Sequence, residues 1–572
     1  MPIRIAMIGA GSIGFTRRLM RDVLGVPELT DTVFSFTDVS KQNLDMVTQL
    51  CRRDISHNKL PAKIESTTDR RKAITGADYV ICTIRQGGLE AFQSDIDIPL
   101  KYGVDQCVGD TICAGGIMYA QRGIPALLDF CRDMREVAKP DVLFLNYANP
   151  MAMNTWACNQ YGGIQTVGLC HGVQGAHWQI ASCIEHWAKA HGLLEKSEQK
   201  LHRKEVDVVF SGINHQTWCV KANWRGADFI DGIGKEVTIN GKRVRTPALL
   251  ELFLNHPTFP QTEKVRIDVL KRFGFYSTES NGHLSEYLPW YRKRTGEINN
   301  WIDLSSWING ETGGYLRVCT EGRNWFETDF PNWLKQEPPT ISSTDRSEEH
   351  GSWIIEGLET GRVYRGHFNV INNNHITNLP NGCVIEIPGY VDKTGINMPV
   401  VGDLPLACAA TCSASVRVQQ MGVEAAVKGD VTLLKQAMLH DPLVGAVCDP
   451  EEVWQMTDDM LVAQRKWLPN YAKKDIDAAA KRLTHAEKNG TRVKQVETEG
   501  AARLHTKSVT EMAADKAAAR ANADAADKGK MTAAPSGVKI TNDANGNDAQ
   551  GKGVNGKGHA KPKKRATALG RA

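Results

Sequence analysis

A chain of 572 residues exceeds one ordinary domain, and its 41% hydrophobic and 23% charged residues match a globular enzyme of two lobes with appendages. No apolar run reaches the roughly 18 residues of a membrane span, and the net charge of +4 gathers basic residues into Gly551 to Ala572, so the body of the chain points to neither a membrane nor a polyanion. The 14 cysteines are scattered without a CxxC pair and no signal-peptide pattern precedes the first strand, which predicts a reducing, cytoplasmic setting.

The chain opens with an apolar strand, Ile3 to Ile8, that runs into Gly9-Ala10-Gly11-Ser12-Ile13-Gly14 and then a helical pattern through Val23. This is a GxGxxG in its proper context: the first two glycines permit a tight turn and close approach of a pyrophosphate, which rests on a helix amino terminus. A second strand, Val33 to Thr37, delivers Asp38 where a carboxylate bonds the ribose hydroxyls of NAD and repels a 2′-phosphate. Strands follow at Lys63 to Thr67 and Tyr79 to Ile84, the latter broken by Arg85-Gln86-Gly87-Gly88, where Gly87 leaves room for a cofactor. A long helix over Ala120 to Val137 precedes strand Val142 to Leu145, the loop Asn146 to Pro150, helix Met151 to Asn159 and strand Gln165 to Leu169, which ends at Cys170. Six strands alternating with helices predict an α/β fold with a Rossmann-like doubly wound parallel sheet over residues 1–195.

The second half is predicted as an α+β catalytic lobe over residues 196–470. Leu193 to Lys204 is charged and reads as a loop, and strand Val206 to Phe210 presents Asn214 and His215 at its end. Thr278 to Tyr287 reads as a polar, glycine-containing loop, Ile371 to Val391 as a hairpin, and helices are expected at Leu406 to Met421, Gly422 to His440 and Glu451 to Gln464. Beyond Tyr471 the composition turns to Ala, Lys, Asp and Glu, which predicts a charged helical extension and, after about Asp527, a disordered basic tail within residues 471–572.

Cys170 and His215, each at the end of an apolar strand, form a candidate metal pair with open positions for substrate oxygens. Thiolate and imidazole by softness alone suggest Zn or Fe. A buried inert thiol and a satisfied core histidine are the plainer readings of either residue alone.

A wider set of motifs is more specific: Gly9-Ala10-Gly11-Ser12, Gly109-Asp110-Thr111, Gly115-Gly116-Ile117-Met118, the run Asn146 to Trp156, Val167-Gly168-Leu169-Cys170-His171, Gly212-Ile213-Asn214-His215 and Asn378 to Cys383. With these the chain resembles glycoside hydrolase family 4, the NAD- and metal-dependent glycosidases, and most of all its α-galactosidase branch. The resemblance implies a fold related to lactate and malate dehydrogenases, with NAD at Gly9, Gly11, Ser12, Ile13, Asp38 and Gly87, and Mn²⁺ held by Cys170 and His215. It also implies a mechanism outside the two-carboxylate scheme: oxidation of the sugar at C3, loss of the C2 proton, elimination at C1, addition of water and reduction again at C3. Asp110 is carried over as a catalytic residue, Asn149 matches a substrate-contacting asparagine, and His171 follows the metal cysteine where the phospho-sugar branch has an aspartate that assists the leaving group. The base is sought among Glu279, His283 and Tyr287, with Glu279 preferred.

Three departures stand out. Close α-galactosidases read Cys-His-Ser-Val where this chain has Cys170-His171-Gly172-Val173, the Leu193 to Lys204 loop is long, and the segment after Tyr471 has no family counterpart. The sugar stays open among galactose, glucose and uronic acids, and the expected partners are a small glycoside and further copies of the chain in a dimer or tetramer. A plain NAD-dependent 2-hydroxy acid dehydrogenase is the competing enzyme, since Asn149-Pro150 also resembles a step in that superfamily. Nucleic-acid binding through Lys561-Pro562-Lys563-Lys564-Arg565 is the competing class, disfavoured because no aromatics interleave the basic run.

Overall fold

A computed structural model describes residues 2–194, 200–304, 306–496, 500 and 503–518. The tail predicted after Asp527 and part of the Leu193 to Lys204 segment lie outside them. Strands β1 (Arg4–Ile8), β2 (Val33–Thr37), β3 (Lys63–Thr67), β4 (Tyr79–Cys82), β5 (Leu143–Asn146) and β6 (Thr166–Gly168) alternate with helices α1 (Ile13–Leu24), α2 (Lys41–His57), α3 (Arg70–Ile74), α4 (Gly88–Lys101), α5 (Cys113–Val137) and α6 (Met151–Gln160). Residues Leu143 to Asn146 and Tyr79 to Cys82 are buried throughout, as expected of parallel strands covered by helices on both faces. Parallel pairing in the order β3-β2-β1-β4-β5-β6 gives the doubly wound topology read from the alternation.

The sheet does not end there. Strands β7 (Asp207–Ile213), β8 (Gln216–Trp224), β9 (Ala227–Asp228), β12 (Tyr364–Ile371), β13 (Val384–Asp392) and β14 (Gly395–Asn397) extend it, while β10 (Glu236–Ile239) and β11 (Lys242–Arg245) form a separate ribbon. The order β6-β12-β13-β7-β8-β9 carries the sheet to 12 strands, with β14 on β13. Strand β6 meets β12 at Gly168 opposite Asn369, and β13 meets β7 at Glu386 opposite Gly212. Glycine leaves space at both positions, at Gly168 for the neighbouring helix and the facing strand and at Gly212 for the second strand of its own hairpin. A Cβ on Gly168 would lie 2.5 Å from Thr155 Oγ1 and 2.9 Å from Asn369 Cβ, and one on Gly212 would lie 2.3 Å from the Gln216 carbonyl oxygen.

The structure corrects several local expectations. The hairpin's first strand is Tyr364–Ile371 and not a segment beginning at Ile371; a 12-residue connection, 372–383, follows it. Buried Asn372 organises that connection, its amide donating to the carbonyls of Ile376 and Leu379 and its oxygen accepting from the backbone of His375 and Ile376. The presumed polar loop Thr278 to Tyr287 contains a helix, α8 (Asn281–Tyr287), because Ser280 caps it through the His283 backbone N–H and tertiary partners satisfy its polar side chains. Glu286 on α8 accepts from the backbone N–H groups of Cys107, Val108 and Gly109, at 2.7, 2.9 and 3.0 Å, and so fixes the loop that carries Asp110. The long α5 starts at Cys113, earlier than its periodicity indicates, and the helix from Leu406 runs to Lys428 before Gly429 ends it in the left-handed conformation.

The charged extension is docked at its start and not merely solvated. Its helix, α9 (Lys473–Lys488), places Ile476, Ala479, Leu483 and Ala486 in one buried stripe against the helix Pro450–Gln464. Arg482 bonds both oxygens of buried Asp458, at 2.8 and 2.7 Å. Ile476 belongs to the core formed with Val453, Met456 and Met460. Ile476→Ala should therefore lower stability by roughly 2–3 kcal/mol, read as a shift in denaturant midpoint, where a solvated helix would give almost none. Glu286→Gln should cost about 1–3 kcal/mol, because an amide NH₂ would face one of the three N–H donors now bonded to the carboxylate; an unchanged midpoint would show that the clamp does not hold the Asp110 loop.

Candidate active site

The β1–α1 turn places Gly9 at φ +86. A Cβ there would sit 3.0 Å from the Thr83 carbonyl carbon, and one at Gly11 would sit 2.8 Å from Asp38 Oδ2. Asp38, just past β2, accepts from the Gly11 and Ser40 backbone N–H groups, each at 2.8 Å. Ser12 precedes α1 without capping it through its side chain, and Ile13 is its first residue, so the helix's amino end is left facing the turn. Gly87, after β4, is at φ +85 and immediately precedes α4 as its N-cap. The six residues read from sequence as cofactor contacts thus line the carboxyl ends of β1, β2 and β4.

Cys170 lies two residues beyond β6, and His215 occupies the two-residue turn joining Ile213 of β7 to Gln216 of β8, at φ +63. Their Sγ and Nε2 atoms are 3.3 Å apart. Glu279 completes a cluster, Oε1 standing 3.3 Å from Sγ and 3.7 Å from Nε2. On the other side of the imidazole, Nδ1 is 2.8 Å from the Thr111 hydroxyl, which donates to Asp110 Oδ1 at 3.0 Å. A hydroxyl whose one proton goes to a carboxylate must accept from Nδ1–H, leaving the Nε2 lone pair toward Cys170 and Glu279, the tautomer a metal ligand needs.

Asp110 gathers the remaining polar groups. Its Oδ2 accepts from Asn149 at 3.0 Å and from Arg85 at 3.2 Å. The Arg85 guanidinium lies against the rings of Phe92 and Tyr119, and its Nη1 is buried without a hydrogen-bond partner. His283 stacks edge-on to His215 with centroids 4.9 Å apart, and Asp110, His215 and His283 make a second trio of donors sharing His215 with the first. Tyr287 sits behind, its hydroxyl 3.4 Å from His215 Nδ1. His171 stands apart: half its side chain is exposed, and its Nδ1 is 3.9 Å from Glu349.

Electrostatics follow from burial and neighbours. Burial, then the charges of Glu279 and Glu386, push the Cys170 thiol well up. Burial also opposes ionisation of Glu279, but His215, His283 and His171 outweigh it and hold the carboxyl at about 2. Burial lowers His283 to about 4 and raises Glu386, which accepts from the Asn214 amide, to about 8. A buried thiol whose ionisation is opposed by an adjacent, already ionised carboxylate fits a divalent cation, whose charge favours both anionic forms.

The site thus joins Cys170, His215, Asp110, Asn149 and Glu279, and leaves His171 at its rim. Thr111, Arg85 and Glu286 escaped assignment from sequence: Thr111 and Arg85 lie beside recognised motifs, but Glu286 carries no local signal, being about 177 residues from the backbone it holds.

Comparison with known proteins identifies the family. Residues 4–186 match the model for family 4 glycosyl hydrolases, and residues 210–444 match that family's C-terminal domain. The chain is 57% identical over 520 residues to an alpha-galactosidase of Rhizobium meliloti (strain 1021), covering 91% of this chain and 99% of that one. It is 32% identical to an alpha-galactosidase of Bacillus subtilis (strain 168), covering 82% and 99%. Among solved structures it resembles the putative glucosidase lplD of Bacillus subtilis, with TM-score 0.65 and 24% identity over 80% of this chain and all of that one. It also resembles the 6-phospho-beta glucosidase of Thermotoga maritima solved with manganese, NAD⁺ and glucose-6-phosphate, with TM-score 0.61 and 22% identity over 81% and 99%. Together the two matched segments and the 57% identity establish that the chain belongs to glycosyl hydrolase family 4.

Proposed function

We propose that this glycosidase hydrolyses α-galactosides by oxidation at C3, deprotonation at C2 and elimination at C1, with NAD and Mn²⁺ as cofactors. The observation that carries the reading is the 3.3 Å approach of Cys170 to His215, beside a sheet whose first βα turn is built for a dinucleotide. Identity with alpha-galactosidases supports the sugar, and the manganese and NAD⁺ bound by the Thermotoga maritima enzyme support the cofactors.

The residues fit both groups. Gly9 and Gly11 admit a pyrophosphate to the end of α1, with Ser12 and Ile13 at the helix start, Asp38 to accept from ribose hydroxyls and Gly87 opposite. Cys170 and His215 would hold the cation, with Nε2 presented by the Thr111–Asp110 relay. When bound, the dinucleotide would supply a reversible hydride acceptor for oxidation at C3, and the cation Lewis acidity for the ketone so formed. Asn149, held by Asp110, orients sugar hydroxyls next to the pair. Glu279 takes the C2 proton, and the electron pair left on C2 forms the double bond as the C1 oxygen departs. His171, with Glu349 behind it, protonates that leaving oxygen from the rim. Water then adds at C1 with return of a proton to C2.

A second reading, a uronic acid as the glycone, is favoured by Arg85: a buried guanidinium nitrogen without a partner, beside Asp110 and Asn149, suits a sugar carboxylate. Among the described residues no helix is long and apolar enough to cross a membrane.

Hydrolysis of 4-nitrophenyl α-galactoside in deuterium oxide, with catalytic NAD⁺, should yield galactose carrying deuterium at C2. Full activity without NAD⁺ and no C2 label would refute the mechanism, and faster cleavage of the galacturonide would move the assignment to a uronidase. Cys170→Ser and His215→Ala should each reduce kcat at least about 1,000-fold while leaving the melting temperature of the metal-free protein within a few degrees. Chelator should abolish wild-type activity and added Mn²⁺ restore it; activity that survives exhaustive chelation would remove the metal from the scheme.

A further inference from the structure

The start of helix Gly172–Ala190 has a vacancy that only glycine leaves. Gly172 is the helix's first residue, is buried, and has none of the positive φ that would itself demand glycine. Yet a Cβ built on it would lie 1.6 Å from Glu279 Oε1 and 2.5 Å from Glu279 Cδ. The space that a side chain would take is filled by the Glu279 carboxyl, which brings Oε1 to 3.3 Å from Cys170 Sγ and 3.7 Å from His215 Nε2. Donors that share one ion at bond lengths of about 2.0–2.3 Å stand roughly 2.8–3.8 Å apart, from octahedral to tetrahedral angles. The three observed separations, 3.3, 3.3 and 3.7 Å, all fall in that range.

We propose that Glu279 is a third protein ligand of the cation in the sugar-free enzyme, and that Gly172 seats it there by having no side chain. The inference rests on the reading of Cys170 and His215 as the metal pair. It gives the carboxylate a resting place: while the site is empty of sugar it fills one position of the ion, and sugar oxygens that displace it release a base beside the carbon next to the polarised one. A thiolate, an imidazole and a carboxylate also explain how a hard cation is retained by a pair whose softness alone favours Zn or Fe.

The test titrates Mn²⁺ into the full-length, metal-stripped protein without sugar, reading free Mn²⁺ by its electron paramagnetic resonance signal. Glu279→Gln should raise the Kd roughly 10- to 100-fold, and Gly172→Ala, which keeps the carboxylate but evicts it from its seat, should raise it comparably. The melting temperature of metal-free G172A should be unchanged or higher, since its backbone conformation suits alanine and the clash is with the movable end of a side chain. A wild-type Kd in E279Q would overturn the ligand, and a wild-type Kd in G172A would overturn the role of the glycine. Failure of the underlying metal reading is distinct: Mn²⁺ would bind the wild type no better than C170S.

Discussion

The two halves of the sheet touch through backbone contact at glycine, and the site depends on that contact. Gly168 opposite Asn369 and Gly212 opposite Glu386 are the paired positions that join β6 to β12 and β13 to β7. A single row of partners, Gly168, Asn369, Glu386 and Gly212, therefore spans the junction, since Asn369 also faces Glu386 across β12 and β13. Cys170 is two residues from one end of this row and His215 three from the other. A side chain at Gly168 would press on Asn369 and part β6 from β12, and one at Gly212 would press on the Gln216 backbone of the hairpin that carries His215.

Polar residues pressed into that junction are only partly paired, with Asn214 Oδ1, Asn369 Oδ1 and Glu386 Oε1 buried without a hydrogen-bond partner. Asn369 donates to the Gly168 carbonyl and Asn214 to Glu386, and burial keeps the Glu386 carboxyl largely protonated near neutral pH. Above it, Arg85, Asn149 and Thr111 all bond Asp110, and Thr111 passes the constraint to His215. The tautomer of the imidazole, with the Nε2 lone pair toward Cys170, is thus decided by a loop from the first half of the chain. That loop is itself clamped by Glu286 from the second half, so positioning of the imidazole after β7 and of its hydroxyl partner is a single mechanical problem.

Family membership and the site's chemistry meet at the cluster of Cys170, His215 and Glu279. A glycosidase built on paired carboxylic acids needs one acid and one base across a glycosidic bond. Here the carboxylates with catalytic placement, Asp110 and Glu279, serve imidazoles and a thiol, and the dinucleotide turn is at hand on the same sheet.

The sequence by itself determined the parallel half of the fold and pointed to the residues proposed to carry its chemistry. The GxGxxG turn, the alternation of apolar strands with helices, and Cys170 and His215 at strand ends are short-range signals, because turn conformation and side-chain period are set by a few neighbouring residues. The family resemblance added Asp110, Asn149 and Glu279. Only the tertiary structure decided which strands join the halves, since antiparallel partners about 200 residues apart are selected by burial and leave no local pattern. It also turned a polar segment into buried α8 and a charged extension into a docked helix: each looks soluble along the chain, and each is held by partners distant in sequence, Asn309 for Asn281 and Asp458 for Arg482. The fit of the Glu279 carboxyl over Gly172 belongs to the same class, because a missing side chain acquires meaning only from what occupies its place.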